Sequence, residues 1–158
     1  MIDDLDELVR IAVREVFETM LSLELEPQPD GTSLQSSAPH VAGAVGFIGR
    51  PSGVVYVYAT SHFARDITNA FLGLTETNSA SDEMINDAMG ELTNMIVGHI
   101  KSRLDDRGMS CALTIPSIVR GTNFTIGAVS STTRRLCVFQ CRGNQLAIEI
   151  LLKPVNPA

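Results

Sequence analysis

The sequence contains no tryptophan, only two tyrosines and few charges, since charged residues make up 19% of the chain. Lysine and arginine are scattered and the formal net charge is -6 at pH 7, so there is no basic patch to bind nucleic-acid phosphates or anionic lipid. No apolar run approaches the roughly 18 residues that span a membrane, and the acidic N-terminus lacks the positive charge that opens a signal peptide. We therefore expect a cytoplasmic protein that binds neither nucleic acid nor membrane.

Cysteine and histidine are also scarce, with three of each in 158 residues. An odd number of cysteines agrees with reduced thiols in a reducing compartment. Cys137 and Cys141 lie four residues apart on a predicted strand, hence on one face, and without clustered histidines we expect them to pack in the core. The sequence therefore predicts no metal site and no cofactor of its own, and it does not favour a metal hydrolase or a metabolite-binding domain.

The apolar residues, 44% of the chain, are sufficient for one domain over residues 1–158. Their spacing predicts helices where it follows a period of 3.6, and strands where short β-branched runs are bounded by proline and glycine. The predicted helices cover 4–25, 62–72 (after a Ser61 N-cap) and 81–108, and the strands cover a hairpin over 38–60, the segments 109–119 and 123–129, and a hairpin over 135–152. Helices thus alternate with hairpins.

Three glycines, Gly43, Gly46 and Gly49, interrupt the first strand of the first hairpin. Their spacing is not that of a dinucleotide-binding loop, and they lie within a strand rather than between a strand and a helix. We therefore expect them to mark close packing of the backbone or a bulge.

A polar stripe runs along the helix predicted over 81–108. At roughly 100° per residue, Asp87, Glu91, Asn94 and Gly98 fall on one narrow face, opposite an apolar arc that needs a core. A rigid helix places a carboxylate and a carboxamide accurately, and a glycine inside it, which costs about 1 kcal/mol relative to alanine, leaves room for another molecule's backbone. A solvated surface explains the same spacing equally well, so periodicity alone leaves both interpretations open.

The two halves of the chain have the same order of elements. A helix, a connecting segment and a glycine-containing hairpin occur in residues 4–60 and again in 81–153, which favours an internal duplication. Aligning the two helices sets Glu15 opposite the glutamate of the stripe and Glu18 opposite Asn94. The first copy therefore keeps one carboxylate and lacks the amide.

The stripe is part of a wider similarity. The pattern Asp87-x-x-x-Glu91-x-x-Asn94, followed by Pro116, resembles the signature of the CheC/CheX/FliY family of bacterial chemotaxis phosphatases. Three further stretches are typical of CheX-like domains: Gly90-Glu-Leu-Thr-Asn-Met-Ile-Val-Gly98, Leu113-Thr-Ile-Pro-Ser117 and the hairpin around Gly46-Phe-Ile-Gly and Gly53-Val-Val-Tyr. CheC proteins usually carry the motif in both halves, whereas here the first half has Ile11 and Glu18 at the corresponding places. This difference from the CheC pattern favours a CheX-like member of the family.

The resemblance implies a fold, an activity and a partner. The fold would be α+β, a CheC-like α/β sandwich in which long helices pack on a largely antiparallel sheet, and the protein would form a homodimer. The activity would be hydrolysis of the phosphoaspartate of a phosphorylated CheY-like response regulator, whose own site would hold Mg2+. Asn94 would orient the attacking water and Glu91 would dock to the regulator's active-site lysine. Asp87, which we expect mainly to support the position of the helix, and Gly98, the bare position beside Asn94, are the further residues that we expect at the partner-binding face.

The alternative is a non-catalytic dimeric adaptor that binds a receiver domain through the same helix. Docking alone does not require an amide at position 94, so the combination of Glu91, Asn94 and Gly98 favours the phosphatase. The sequence leaves open which receiver domain is the substrate.

Overall fold

The computed structural model describes residues 4–34, 38–75, 78–122 and 132–153. The helices in these ranges are α1 (Leu5–Val16), α2 (Ser61–Leu72) and α3 (Asp82–Asp106). The strands are β1 (Glu26–Pro27), β2 (Pro39–Gly49), β3 (Gly53–Thr60), β4 (Cys111–Leu113), β5 (Ser117–Thr122), β6 (Thr133–Cys141) and β7 (Asn144–Leu152). The strand predicted over 123–129 lies outside the described residues. Among the described helices, none has both the length and the apolar character needed to cross a membrane.

The seven strands of the described residues belong to one antiparallel sheet with the order β1-β6-β7-β3-β2-β4, and β5 pairs with β2 as well. The pairing of β3 with β7 joins the two halves of the chain at the centre of the sheet. Each half also adds short strands to the hairpin of the other, because β1 pairs with β6 while β4 and β5 pair with β2. A duplicated helix and hairpin unit would give this symmetry, although the duplication itself stays a prediction.

The helices pack against one face of the sheet and enclose the main core. The apolar arc of α3 is buried throughout, as its periodicity predicted, and it consists of Ile85, Met89, Leu92, Ile96 and Ile100. These side chains meet the inward-facing residues of β2 and β3, such as Val45 and Val57. Burial of this arc fixes which side of α3 faces outward.

The first helix differs from its prediction at the C-terminal end. It was expected to run over 4–25, but the regular α-helix ends at Val16 and continues as a π-helical turn, Phe17–Leu21, which Ser22 ends in a left-handed conformation with φ 53°. A π-helical turn holds more residues than an α-helical one, so it shifts the side chains that follow. Met20, which a period of 3.6 residues continued through this turn places on the buried face, is consequently 51% exposed.

Three smaller expectations were also wrong. The N-cap of α2 is Thr60 rather than Ser61, and the Thr60 hydroxyl accepts a hydrogen bond from the backbone N–H of Phe63. The strand expected over 109–119 is divided into β4 and β5. The sequence also predicts a break after this strand at Gly121, because glycine is unfavourable within strands, but Gly121 lies within β5, opposite His40.

The cysteines of β6 pack in the core, as expected. Cys137 and Cys141 are buried and unpaired, and burial raises the pKa of the Cys137 thiol to about 11. Within the described ranges, histidine, cysteine, aspartate and glutamate form no group that could hold a metal ion.

The face of the sheet opposite the helices carries a second apolar cluster around Tyr58 and Val138. Glu149 is buried within it, where it accepts a hydrogen bond from the Tyr58 hydroxyl at 2.9 Å and another from Arg134. Burial, together with the neighbouring Glu149, raises the pKa of Tyr58. A buried carboxylate is tolerated here because it is paired and hydrogen-bonded.

Candidate functional site

Helix α3 carries the candidate site, and its ends agree closely with the prediction of 81–108. The Ser81 side chain caps the N-terminus by accepting a hydrogen bond from the backbone N–H of Met84. Asp82 and Glu83 occupy the first turn, where negative charge is favoured by the helix dipole. The 25-residue helix is therefore a defined and rigid support for the side chains along it.

The polar stripe lies on the outer side of α3. Asp87 and Glu91 are exposed, whereas Asn94 and Gly98 are half-buried. Residues three apart on a helix have Cβ atoms about 5–6 Å from each other, so one molecule can contact the Glu91 carboxylate and the Asn94 amide together. The structure thus brings the four predicted site residues onto one surface.

The functional groups of the stripe are not engaged by other residues that the structure describes. Asp87, Glu91 and Asn94 form no side-chain hydrogen bond and no ion pair within the described part of the chain. Asn86 on the same helix is different, because its side-chain oxygen accepts a hydrogen bond from Nε of Arg120 at 2.7 Å. A half-buried amide without an internal partner is available to a water molecule or to another protein.

One side of the stripe is formed by β5 and the residues before it. A Cβ atom placed on Gly90 would lie 3.6 Å from Cβ of Pro116 and 3.9 Å from Cδ1 of Ile118. Gly90 is buried by this contact. Pro116, the proline of the family signature, therefore packs against the turn of α3 that presents Glu91.

The other side of the stripe is formed by α1. Its Glu15 carboxylate lies 3.3 Å from Nδ1 of His99 and accepts a hydrogen bond from Arg103 at 2.9 Å. Arg107 pairs with Asp4 and lowers the pKa of that carboxyl group. Exposed ion pairs contribute little stability individually, but together they link α1 to the C-terminal half of α3. Glu15, the first-half counterpart of the stripe's glutamate, is therefore already paired.

Gly43 on β2 determines how closely α3 packs against the sheet. A Cβ atom on Gly43 would lie 2.0 Å from Oγ1 of Thr93 and 3.1 Å from the carbonyl oxygen of Met89, so only glycine fits. Thr93 is fully buried, and its hydroxyl donates a hydrogen bond to that carbonyl. The expectation of close backbone packing at this glycine is confirmed. Because Thr93 precedes Asn94, the contact also fixes the position of the amide.

The Cβ direction of Gly98 is open. Within the described part of the chain, no atom lies within 4 Å of the position that a Cβ would occupy. The absence of a side chain there is not explained by packing against the described residues, which agrees with the expectation of a bare patch beside Asn94.

Sequence reasoning missed two contributors to this surface. Thr93, the buried partner of Gly43, belongs to neither the polar stripe nor the apolar arc as they were assigned. Ile115 is 85% exposed beside Pro116. A small residue on a helix and an apolar residue before a proline are weak signals, so neither indicates a role without the tertiary structure.

The family model of the chemotaxis phosphatase CheX matches residues 41–140, more than half of the chain, and this range includes the whole of α3 and Pro116. The chain belongs to the CheX family. The predicted resemblance is confirmed, and with it the enzyme class, a response-regulator phosphatase. Among curated relatives of this CheX-family protein, the CheY-P phosphatase CheX of Thermotoga maritima is 29% identical over 123 residues, which cover 75% of this chain and 79% of the relative.

Solved structures agree with this assignment. A CheC-like superfamily protein from Shewanella sp. PV-4 is 28% identical and superposes with a TM-score of 0.82, covering 97% of this chain and 99% of its own. The CheX of Borrelia burgdorferi, in a complex of CheX, CheY, BeF3 and Mg2+, superposes with a TM-score of 0.80 at 20% identity, covering 95% and 98%. The second likeness supports the fold alone. The predicted α+β, CheC-like fold is confirmed.

Proposed function

We propose that this CheX-family protein hydrolyses the phosphoaspartate of a phosphorylated CheY-like receiver domain. Asn94 orients the attacking water and Glu91 contacts the receiver's active-site lysine. The observation that carries the proposal is the pair formed by a carboxylate and an amide, one turn apart on a rigid helix, neither of which has a hydrogen-bond or ion-pair partner in the described part of the chain. The curated relative from Thermotoga maritima agrees with it, since that protein is a CheY-P phosphatase.

The amide of Asn94 suits the requirement of the reaction. In the hydrolysis the water oxygen forms a bond to phosphorus, the bond from phosphorus to the aspartyl oxygen breaks, and the products are inorganic phosphate and the free aspartate. Phosphoryl transfer depends mainly on positioning and on electrostatic stabilisation. A carboxamide both accepts and donates hydrogen bonds, so Asn94 can hold a water in line with the leaving oxygen.

Glu91 has a docking role in this proposal. A solvated carboxylate is a poor general base at neutral pH, but it pairs well with a lysine ammonium group. Asp87, one turn before it, adds negative charge on the same face. Mg2+ belongs to the receiver domain, and the protein contributes no cofactor of its own.

The proposal is tested by the rate at which a phosphorylated CheY-type receiver domain loses phosphate in the presence of Mg2+. A substoichiometric amount of the protein is expected to accelerate the loss through many turnovers. If the protein binds the receiver and leaves the decay rate unchanged, the adaptor function takes the place of the phosphatase.

Replacing Glu91 with glutamine is expected to weaken binding to the receiver by at least about 10-fold, because the variant keeps the shape of the side chain and loses its charge. The measurement is the dissociation constant for a receiver loaded with beryllofluoride and Mg2+, at low and at high ionic strength. The affinity of the variant should depend less on salt than that of the wild type. Glu83→Gln, which removes the same charge from the first turn of α3, is the matched control. Equal affinities of Glu91→Gln and wild type at low salt would contradict the docking role.

Replacing Gly98 with alanine is expected to separate folding from function. The Cβ direction is open, and alanine in a helix is favoured over glycine by about 1 kcal/mol, so thermal stability should rise. Gly98→Leu should also fold, yet it should weaken receiver binding, because the larger side chain occupies the patch beside Asn94. Thermal unfolding and binding are measured on the same samples. A Gly98→Leu variant that binds as tightly as wild type would refute the contact at Gly98.

A homodimer, which the family resemblance implies, and a cytoplasmic location, which we expect from the sequence, remain proposals.

A further inference from the structure

Ile115 lies between β4 and β5 and is the most exposed of the large apolar side chains in the described ranges, at 85%. An isolated exposed apolar residue is ordinary at a protein surface. Two further observations distinguish Ile115, namely the rigidity of the segment that carries it and the place of that segment beside the polar stripe.

The segment around Ile115 is held on both sides. The backbone N–H of Thr114 donates to the carbonyl oxygen of Gly46 at 2.9 Å, and the N–H of Gly46 donates to the Thr114 hydroxyl at 2.8 Å. Pro116 follows, with φ restricted by its ring and its side chain against Gly90. The exposed side chain of Ile115 is therefore presented by a fixed backbone.

The residues on either side of Ile115 show which part of α3 it lies beside. Leu113, two residues earlier, lines a small apolar cavity together with Val97. Pro116, the next residue, packs against Gly90. Because Ile115 lies between Leu113, which lines the same cavity as Val97, and Pro116, which packs against Gly90, we place it beside the part of α3 that includes Glu91 and Asn94.

We propose that Ile115 is a specificity-determining residue that packs against an apolar side chain next to the phosphoaspartate of the receiver domain. The inference rests on the proposed function, since its occupant is the partner that engages Glu91 and Asn94. A contact through Glu91 alone would be weakened by salt. An apolar contact from a rigid segment adds affinity that salt does not screen, and it selects receivers that carry an apolar residue at this place.

The experiment compares Ile115→Ser with Ile48→Ser. Ile48 is the matched control because it is 65% exposed and alternates along β2 with the core residue Phe47, so it lies on the other face of the sheet. Wild type and both variants are assayed for KM and kcat with a phosphorylated CheY-type receiver and for affinity to the same receiver loaded with beryllofluoride and Mg2+. Thermal unfolding and oligomeric state are measured alongside.

Ile115→Ser is expected to raise KM and the dissociation constant by roughly 10-fold, the scale that burial of one isoleucine side chain corresponds to, with kcat within about two-fold of wild type because the amide is untouched. The salt dependence of binding should be retained, unlike that of Glu91→Gln. Ile48→Ser should match wild type.

The outcomes separate the inference from the proposed function. If wild type accelerates phosphate loss while Ile115→Ser has unchanged KM and affinity, the inference is overturned and the function stands. If wild type binds without acceleration and Ile115→Ser weakens that binding, the phosphatase proposal fails and the inference holds for an adaptor. An effect of Ile115→Ser on oligomeric state alone would make Ile115 a contact between copies of the chain, and absence of receiver binding by wild type would overturn both proposals.

Discussion

Replacing Asn94 with alanine is expected to lower the rate of receiver dephosphorylation by about 100-fold or more, the scale of losing one well-placed polar group or the alignment of a reactant. The amide has no internal hydrogen-bond partner in the described part of the chain, so its removal leaves no buried group unsatisfied and should not unfold the protein. Binding should stay within about two-fold of wild type, because an interaction made mainly in the transition state affects kcat rather than KM. Single-turnover decay of the phosphorylated receiver, together with its affinity, provides the measurement.

Two further variants make the Asn94 result specific. Asn94→Asp keeps the size of the side chain, removes both N–H donors and adds a negative charge near the phosphoryl group, so it should be at least as slow as the alanine variant. Asn86→Ala removes an amide of the same type from the same helix, one that is bonded to Arg120, and it should keep the wild-type rate. Full activity of Asn94→Ala, or equal losses in Asn94→Ala and Asn86→Ala, would contradict water positioning by Asn94.

Replacing Gly43 with alanine is expected to lower the free energy of unfolding by about 3 kcal/mol, at the upper end of the usual range for overpacking a core. The added Cβ would lie 2.0 Å from Oγ1 of Thr93 and 3.1 Å from a backbone carbonyl oxygen, so either the side chain or the helix must move. For a chain of this length the midpoint of thermal unfolding should fall by roughly 6 to 12 °C. Denaturant and thermal unfolding measure the loss, and dephosphorylation by the folded protein should fall too, because Asn94 moves with α3.

A double-mutant cycle identifies the contact responsible. Thr93→Ala removes the hydroxyl that the new Cβ would meet, although Cβ of Thr93 at 3.0 Å and the carbonyl of Met89 at 3.1 Å would remain. Gly43→Ala should therefore lower the free energy of unfolding by less in the Thr93→Ala background than in wild type, although part of the decrease should remain. Additive effects of the two substitutions would mean that the close approach at Gly43 does not set the position of α3.

The elements that sequence predicted well are those in which independent signals agree. For α3, a capping serine, acidic residues in the first turn and an apolar arc coincide, and the helix over Asp82–Asp106 matches the expectation within two residues at either end. The two hairpins were found because apolar β-branched runs flank proline or glycine turns. The polar stripe was found for the same reason as the arc, since one periodicity defines both.

The remaining features depend on contacts between distant residues. A π-helical turn leaves the composition of α1 unchanged, so the period of 3.6 was extended too far and Met20 was assigned to the wrong side. β4 and β5 are separate because residues 114–116 lie opposite only two residues of β2, Val45 and Gly46, and because the Gly46 N–H donates to the Thr114 hydroxyl rather than to a backbone carbonyl. The close packing of α3 on β2 and the exposure of Ile115 likewise depend on how the helix packs against the sheet, which the sequence pattern does not contain.

Each half of the chain contributes short strands that pair with the hairpin of the other half, so neither half contains all the strands of its own part of the sheet. β1 completes the second hairpin, while β4 and β5 complete the first. A half separated from the other would leave unpaired edges, and such edges invite pairing with foreign chains. Contacts between the ends of the chain must form before the sheet is whole, which slows folding relative to helix formation. The two halves thus unfold together, and a proteolytic cut that releases either one removes the support of α3 as well.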